Sequence, residues 1–253
     1  MTKVVLLGAG NLASHLFKAF EANKFVEIIQ VFNHREEKLK TFSALVDTTT
    51  AFSEIKEADF YIISVKDDAI AEVASQLREK EGIVLHTSGA INMSALANLS
   101  NYGVFYPLQS FSKEKEVNFT EIPIGIEANT AENLKKLKTF AATISDSVYD
   151  ISSEQRRILH VAAVFANNFS NFMFTTAAEI CEKHEVPFEI LQPLIQETFL
   201  KIREVSPKDA QTGPAIRNDK QTMQAHLHHL NEDQKKLYKT ISEAITKTYG
   251  KEL

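Results

Sequence analysis

Short apolar runs alternate with stretches of helical periodicity through the first half of the chain. The first run, Val4–Leu7, contains no charged residue and precedes apolar residues at helical spacing, namely Leu12, Leu16, Phe17 and Phe20. Runs of this length are typical of buried strands, and their alternation with helices predicts a mostly parallel sheet. The later runs in this half are 28–32, 59–65, 82–86, 103–106 and 122–126, with helices predicted at 67–77 and after Thr130.

A glycine turn joins the first predicted strand to the first predicted helix, with the sequence Gly8-Ala9-Gly10-Asn11-Leu12-Ala13. The strand–GxGxxA–helix arrangement is typical of a dinucleotide-binding βα unit. Gly8 permits the tight turn, Gly10 lets the backbone approach a pyrophosphate, and Ala13 lets the helix pack near the strand. We predict that this segment holds the pyrophosphate at the helix N-terminus. The alternative is a glycine turn in an α/β protein that binds no nucleotide.

The end of the second predicted strand indicates which dinucleotide is bound. NAD sites usually place an acidic residue there to bind the ribose 2′-hydroxyl, whereas this chain has Asn33-His34-Arg35. A guanidinium binds a phosphate through paired, charge-assisted hydrogen bonds. We therefore predict NADP(H) as the cofactor, with these three residues at the 2′-phosphate. Alternatively, Arg35 is a solvated residue at the start of the next helix.

Three further segments follow predicted strands, and the carboxyl ends of parallel strands meet at one edge of a sheet. We predict that Ser64, Val65 and Lys66 lie near the cofactor ribose and pyrophosphate, and that Ser88 and Gln109 lie near the nicotinamide. The alternative for Lys66 is an exposed residue at this edge.

Only helical signals remain beyond residue 150. Ser152 and Gln155 have the spacing of a capping box at the start of a helix. We therefore predict an α/β Rossmann-like domain with a mostly parallel sheet at residues 1–150, followed by an all-α domain at residues 151–253.

The first predicted helix of the second domain contains an uncharged run from Ile158 to Ala178. The run is long enough to span a bilayer, but its histidine, asparagines and threonines are costly in hydrocarbon. A helix that is apolar nearly all round is usually buried. We predict that the run lies at the centre of the second domain and in a homodimer interface, and that the protein has no membrane partner.

Three polar residues of this run form a stripe. At about 100° per residue, His160, Asn167 and Asn171 lie within about 40° of one another. A histidine can donate the proton that accompanies hydride transfer, because it titrates near neutrality. We predict His160 as a proton donor and the two asparagines as groups that orient the substrate or the nicotinamide amide. The alternative is a hydrogen-bond network between buried helices.

A loop at Thr212–Asp219 contains Arg217, which we predict to bind a substrate anion. The alternative is a structural ion pair with Asp219. Asn218 is predicted to cap the next helix. We predict no metal site, because His226, His228 and His229 lack further ligands at a useful spacing.

Composition limits the remaining classes of function. The net charge of −5, without a basic block, argues against a nucleic-acid partner. The single cysteine, Cys181, excludes an internal disulfide. The first residues lead directly into a strand without signal-peptide features, so we expect a cytoplasmic protein.

The chain resembles a family of proposed NADP oxidoreductases that join an N-terminal Rossmann-like domain to a C-terminal helical domain of unknown function. It departs from the family pattern at Tyr106, where a histidine is usual, and at Asn218, where a glycine is usual. The stretches that carry the resemblance are 8–13, 86–90, 106–111, 162–168 and 212–219.

The chain is also distantly similar to pyrroline-5-carboxylate reductase, the β-hydroxyacid dehydrogenases and the deazaflavin-dependent NADP reductases. The resemblance implies hydride transfer in a cleft between the domains and dimerisation through the helical domain. We expect an NADP(H)-dependent oxidoreductase acting on a C=O or C=N group of a small, anionic metabolite. The alternative is a non-catalytic dinucleotide sensor or interaction protein with the same fold.

Overall fold

A computed structural model describes residues 1–113 and 115–249 of the chain. It divides into two compact units, Met1–Ala163 and Val164–Leu253, here called the sheet domain and the helical domain. The sheet domain has an eight-stranded sheet in the order β3-β2-β1-β4-β5-β6-β7-β8. The strands are β1 (Thr2–Leu7), β2 (Val26–Phe32), β3 (Thr48–Thr49), β4 (Phe60–Ile63), β5 (Ile83–His86), β6 (Tyr102–Pro107), β7 (Ile124–Ala128) and β8 (Val148–Asp150).

The strand order defines the fold and the place of its ligand site. All neighbouring strands are parallel except β6 and β7. The order 3-2-1-4-5-6 is that of dinucleotide-binding sheets, in which ligands bind where the chain switches direction across the sheet, here between β1 and β4. The predicted fold class, a Rossmann-like α/β domain followed by an all-α domain, is confirmed.

Helices cover both faces of the sheet, which explains why its strands are nearly continuous apolar runs. The central strand residues Val4–Leu7 are fully buried. One core cluster joins the helices at Asn11–Glu21 and Ala131–Ala141 to the sheet, and a second cluster joins the helix at Ile70–Ser75 to the other face. The helices of this domain are α1 (Asn11–Glu21), α2 (Glu36–Leu39), α3 (Ile70–Ser75), α4 (Ala131–Ala141) and α5 (Ser153–Ala163).

Local differences from the predicted elements occur where elements are short. The strands β3 and β8 have two and three residues, too few to give a hydrophobic period. The helix predicted at 67–77 is a 3₁₀ turn at Asp67–Ala69 followed by α3. Thr130 caps α4 as predicted, because its side chain accepts a hydrogen bond from the Asn133 backbone N–H.

The compact sheet domain extends to Ala163, past the boundary predicted at residue 150. The predicted capping box is present, because the backbone N–H of Gln155 donates to Ser152 Oγ and that of Ser152 donates to Gln155 Oε1. The helix that it starts, α5, belongs to the sheet domain because Ser153 and Arg156 are buried in hydrogen bonds to that domain.

Among residues 164–249, the helical domain contains helices joined by loops and no strand. A π-helical segment, Val164–Phe169, continues directly from α5 and leads into α6. The α-helices are α6 (Ser170–Lys183), α7 (Gln192–Glu204), α8 (Pro207–Ala210), α9 (Lys220–Leu227) and α10 (Glu232–Tyr249).

The π-helical segment corrects the angular calculation for the polar stripe. A π-helix forms i→i+5 hydrogen bonds, so each residue turns by less than the 100° of an α-helix. Because Val164–Phe169 lies between His160 and Asn171, the three predicted side chains do not follow one regular 3.6-residue period. The regular helical period assumed for the stripe of His160, Asn167 and Asn171 is therefore wrong.

The prediction that the uncharged run is buried is also wrong for the single chain. No residue from Ile158 to Ala178 is buried, and Phe165 is 65% exposed. The helices of one chain leave this apolar surface uncovered.

The loop before α9 differs from its prediction as well. Asp219, and not Asn218, caps α9, because its carboxylate accepts from the Thr222 backbone N–H at 3.0 Å and from the Thr222 hydroxyl at 2.7 Å. Asn218 adopts a left-handed conformation with φ of 52°.

Among residues 1–113 and 115–249, no helix is long and apolar enough to cross a membrane.

Candidate active site

A cavity of about 960 Å³ runs along the carboxyl ends of β1, β2, β4 and β5. Its size is within the range of small-molecule and cofactor sites. Most of the predicted cofactor-binding residues line it, namely Gly8, Gly10, Asn11, Leu12, Asn33, His34, Arg35, Ser64, Val65, Lys66 and Ser88. Two predicted residues are elsewhere: Ala13 is buried on the inner side of α1, and Gln109 is exposed and accepts a hydrogen bond from the backbone of Ser110.

The glycine turn has the geometry that a pyrophosphate requires. Gly8 has φ of +119°, and a Cβ there would approach Ser64 O to 2.2 Å, so the turn closes tightly against β4. A Cβ built on Gly10 meets no atom within 4 Å, so this backbone borders open space in the cavity. No side chain caps the N-terminus of α1. Its first N–H groups therefore remain available to an anion, and the residues present fit a dinucleotide.

Cationic side chains gather at the end of β2. His34, Arg35 and Lys38 are all exposed at the cavity, and Arg35 Nε donates to His34 Nε2 at 3.2 Å. Asn33 is buried and supports this loop, because its Nδ2 donates to Arg35 O at 3.0 Å. Lys38 was missed by the sequence prediction, although it follows Arg35 at helical spacing.

The loop after β5 forms the next part of the cavity. Thr87 and Ser88 line it, and Ser88 Oγ accepts from the backbone N–H groups of Ala90 and Ile91, both at 3.1 Å. Thr87 Oγ1 donates to Ile63 O at 3.2 Å. These bonds fix the loop in one conformation beside the sheet edge.

A buried arginine, Arg156 in the second turn of α5, holds the same loop from the other side. Its Nε donates to Ser88 O at 3.1 Å, one of its terminal nitrogens donates to Ile91 O, and the other forms a 2.8 Å ion pair with Glu127 of β7. The side chain of Arg156 is fully buried. The sequence prediction missed this residue because nothing in the local pattern distinguishes it from a solvated helical arginine.

His160 lies one turn further along α5 and contacts two sheet elements. Its Nδ1 is 3.1 Å from the hydroxyl of Tyr106 at the end of β6. A Cβ built on Gly89 would come within 2.7 Å of His160 Nδ1 and 2.9 Å of Tyr106 Oη. Burial raises the pKa of Tyr106, which keeps the phenol protonated. His160, Tyr106 and Gly89 therefore form a packed cluster next to Ser88 of the nucleotide cavity.

A second histidine, His86, lies at the end of β5 and is fully buried. Burial, together with the nearby Arg156 charge, lowers the pKa of His86 to about 3, so its ring is neutral. Its Nδ1 accepts from the Ser88 backbone N–H at 3.2 Å. Within the part of the chain that the structure describes, its Nε2 has no hydrogen-bond partner.

The other predicted catalytic residues belong to the helical domain. Asn167, Asn171 and Arg217 are exposed there. The pKa of Asp219 is lowered by hydrogen bonds from Thr222 and, less strongly, by the charge of Arg217. Among residues 1–113 and 115–249, no group of three or more His, Cys, Asp or Glu side chains could hold a metal ion.

Two family models match the chain. Residues 3–88 match the family described as NADP oxidoreductase, coenzyme F420-dependent. Residues 122–245 match a domain of unknown function, DUF2520. No curated protein matches the chain.

Solved structures match over nearly the whole length. A proposed NADP oxidoreductase from Bacteroides fragilis has 44% sequence identity and a TM-score of 0.90, with 97% of this chain and 98% of that chain covered. An imine reductase from Myxococcus stipitatus in complex with NADP⁺ has 16% identity and a TM-score of 0.70, covering 98% and 96%. A 1-pyrroline-5-carboxylate reductase from Streptococcus pyogenes has 16% identity and a TM-score of 0.67, also covering 98% and 96%. The last two show similarity of fold.

Replacing Gly10 with valine tests the nucleotide cavity. The new side chain meets no protein atom near Cβ, so the fold should be retained, but it occupies space that the pyrophosphate needs. We expect Gly10→Val to lower NADPH affinity at least tenfold, about 1.4 kcal/mol, in a fluorescence titration. The control is Ala22→Val at the opposite end of α1. Unchanged affinity in a folded Gly10→Val protein would place the dinucleotide elsewhere.

Proposed function

Because the chain belongs to the family of NADP oxidoreductases that carry the DUF2520 helical domain, we propose that it transfers a hydride between NADP(H) and a C=O or C=N group of a small metabolite. The predicted resemblance and the predicted cofactor, NADP, are confirmed by this membership. The substrate is an anionic carbonyl or imine compound in this proposal, because Arg217 is an exposed cation in the loop before α9.

NADP(H) supplies or accepts the hydride when it is bound. The backbone at Gly10 and the N-terminus of α1 bind the pyrophosphate, and Arg35 with Lys38 binds the 2′-phosphate. These residues line the cavity, and the proposal does not include coenzyme F420.

His160 donates the proton that accompanies hydride transfer to the substrate. The observation that carries this proposal is the position of His160 against Gly89, which directly follows the cavity residue Ser88. In the helical domain, Arg217 binds the substrate anion and Asn167 and Asn171 orient the substrate. A sensor that only binds the dinucleotide would not need a histidine beside the cavity.

Loss of His160 should lower turnover without changing cofactor affinity. A panel of 2-oxo acids, cyclic imines and ketones is screened for NADPH oxidation, and His160→Gln is assayed with the best substrate. We expect kcat to fall about 100-fold, the lower range for loss of a general acid, with the NADPH Kd unchanged. The control is His228→Gln, at an exposed histidine. Retained turnover in His160→Gln would contradict the assignment, and no turnover by the native protein would favour the sensor.

The cations at the end of β2 should give a preference for NADPH over NADH. Removing one charge-assisted contact costs about 1.5–3 kcal/mol, or roughly ten- to a hundredfold in affinity. We expect Arg35→Ala to weaken NADPH binding in this range and to leave NADH binding unchanged. The control is Lys40→Ala, at an exposed residue outside the cavity lining. Equal affinities of the native protein for both cofactors would refute the preference.

We also propose that the protein is a homodimer formed through the helical domain. Its described residues leave several large apolar side chains exposed, including Phe165, Phe172, Ile190 and Leu194 at 65%, 55%, 66% and 63%. Several large apolar side chains exposed in one domain favour an interface, and two-fold dimers are the most common assemblies.

The dimer predicts a mass twice that of one chain in light scattering at micromolar concentration. Ile190→Asp places a charge within this apolar surface and should shift the protein toward the monomer. Phe25→Asp is the matched control, because Phe25 is 72% exposed in the sheet domain. A monomeric native protein would contradict the proposal, and so would equal dissociation by both variants.

A further inference from the structure

Ser88 has one polar group, its hydroxyl hydrogen, that meets no acceptor in the described part of the chain. Its backbone N–H donates to His86 Nδ1 at 3.2 Å, and its carbonyl accepts from Arg156 Nε at 3.1 Å. Its Oγ accepts from two backbone N–H groups. Ser88 lines the nucleotide cavity. Resting on the proposed function, we infer that Ser88 donates this hydrogen to the carbonyl oxygen of the nicotinamide carboxamide.

The partners of Ser88 Oγ decide what this hydroxyl can recognise. A serine hydroxyl has two acceptor lone pairs and one donor hydrogen. The backbone N–H groups of Ala90 and Ile91 occupy both lone pairs, each at 3.1 Å. Ser88 can therefore still donate a hydrogen bond but cannot accept another one. It matches the carbonyl oxygen of a carboxamide and does not match the NH₂ group.

The position of Ser88 along the cavity selects the nicotinamide end of the dinucleotide. Arg35 and Lys38 line the cavity at the end of β2, and Thr87 and Ser88 line it after β5. These strands are three positions apart in the sheet order, so the two ends of the cavity are about 14 Å apart. With its 2′-phosphate at Arg35 and its pyrophosphate at Gly10, a dinucleotide extends toward Ser88 by its nicotinamide half.

The hydroxyl is oriented before any ligand binds. Burial lowers the pKa of His86 to about 3, so its ring is neutral and Nδ1 accepts the Ser88 N–H. The fully buried side chain of Arg156 holds the Ser88 carbonyl on the other side of the same residue. Ser88 itself is 9% exposed. A donor fixed in this way loses little conformational entropy when the cofactor binds.

A cycle of two proteins and two ligands measures this contact. The ligands are NADP⁺ and its analogue with pyridine in place of nicotinamide, which lacks the carboxamide. The proteins are the native chain and Ser88→Ala, and each Kd is measured by isothermal titration calorimetry. We expect the native preference for NADP⁺ over the analogue to fall about three- to tenfold in Ser88→Ala, the range for one neutral hydrogen bond.

The ratio of the two Kd values separates the contact from a change in the loop. Ser88→Ala also removes the acceptor of the Ala90 and Ile91 N–H groups, but a loosened loop weakens both ligands alike. The control is Ser94→Ala, at an exposed serine outside the cavity lining, which should leave the ratio unchanged. An unchanged ratio in a folded Ser88→Ala protein would overturn the inference.

A third ligand tests the direction of the hydrogen bond without any variant. The acetylpyridine analogue of NADP⁺ keeps the carbonyl oxygen and replaces the NH₂ group by a methyl group. We expect the native protein to bind it about three- to tenfold more tightly than the pyridine analogue. Equal affinities for these two analogues would show that the carbonyl oxygen is not recognised and would overturn the inference.

The inference and the proposed function fail separately, because the cycle measures binding and needs no turnover. Absence of turnover with the expected change of ratio would contradict only the proposed hydride transfer. Unchanged affinity in Gly10→Val would contradict the proposed place of the dinucleotide. An unchanged ratio in Ser88→Ala, together with weakened binding in Gly10→Val, would overturn only the role of Ser88.

Discussion

A fully buried guanidinium must keep an anion and several acceptors around it, because an unpaired buried charge costs about 3–5 kcal/mol. In this protein Arg156 meets that requirement with Glu127 of β7, the carbonyl of Ser88 and the hydroxyl of Ser153. These contacts join α5, the loop after β5 and the antiparallel part of the sheet. The loop that carries Ser88 at the nucleotide cavity and the helix that carries His160 are both held in place by this one side chain.

The sequence patterns predicted the local interactions of the structure. The glycine turn, the buried strands and the capping box at Ser152 each depend on residues within a few positions of one another, so spacing alone predicted them. The short strands β3 and β8 and the π-helical segment were not predicted from the sequence. Two or three residues are too few to show a hydrophobic period, and a π-helix depends on packing. The angular argument for Asn171 failed for the same reason.

The candidate site shows the same difference between features set by local sequence and features set by long-range contacts. Most of the residues that line the nucleotide cavity were predicted, because their place follows from strand order. The contact between Tyr106 and His160 joins residues 54 positions apart and has no signature in the sequence. Arg156 looks in sequence like any helical arginine, and only its burial and its bond to Glu127 distinguish it. Long-range polar contacts of this kind depend on the assembled fold.

The close packing at Gly89 makes three distant positions interdependent. No side chain fits at position 89 while His160 and Tyr106 occupy their places, since even a methyl group would overlap the His160 ring and the Tyr106 hydroxyl. A larger residue there becomes acceptable only together with a smaller one at position 160 or 106, so the effects of such changes are not additive. The absence of a side chain at position 89 is therefore a steric requirement of the contact between the histidine and the tyrosine.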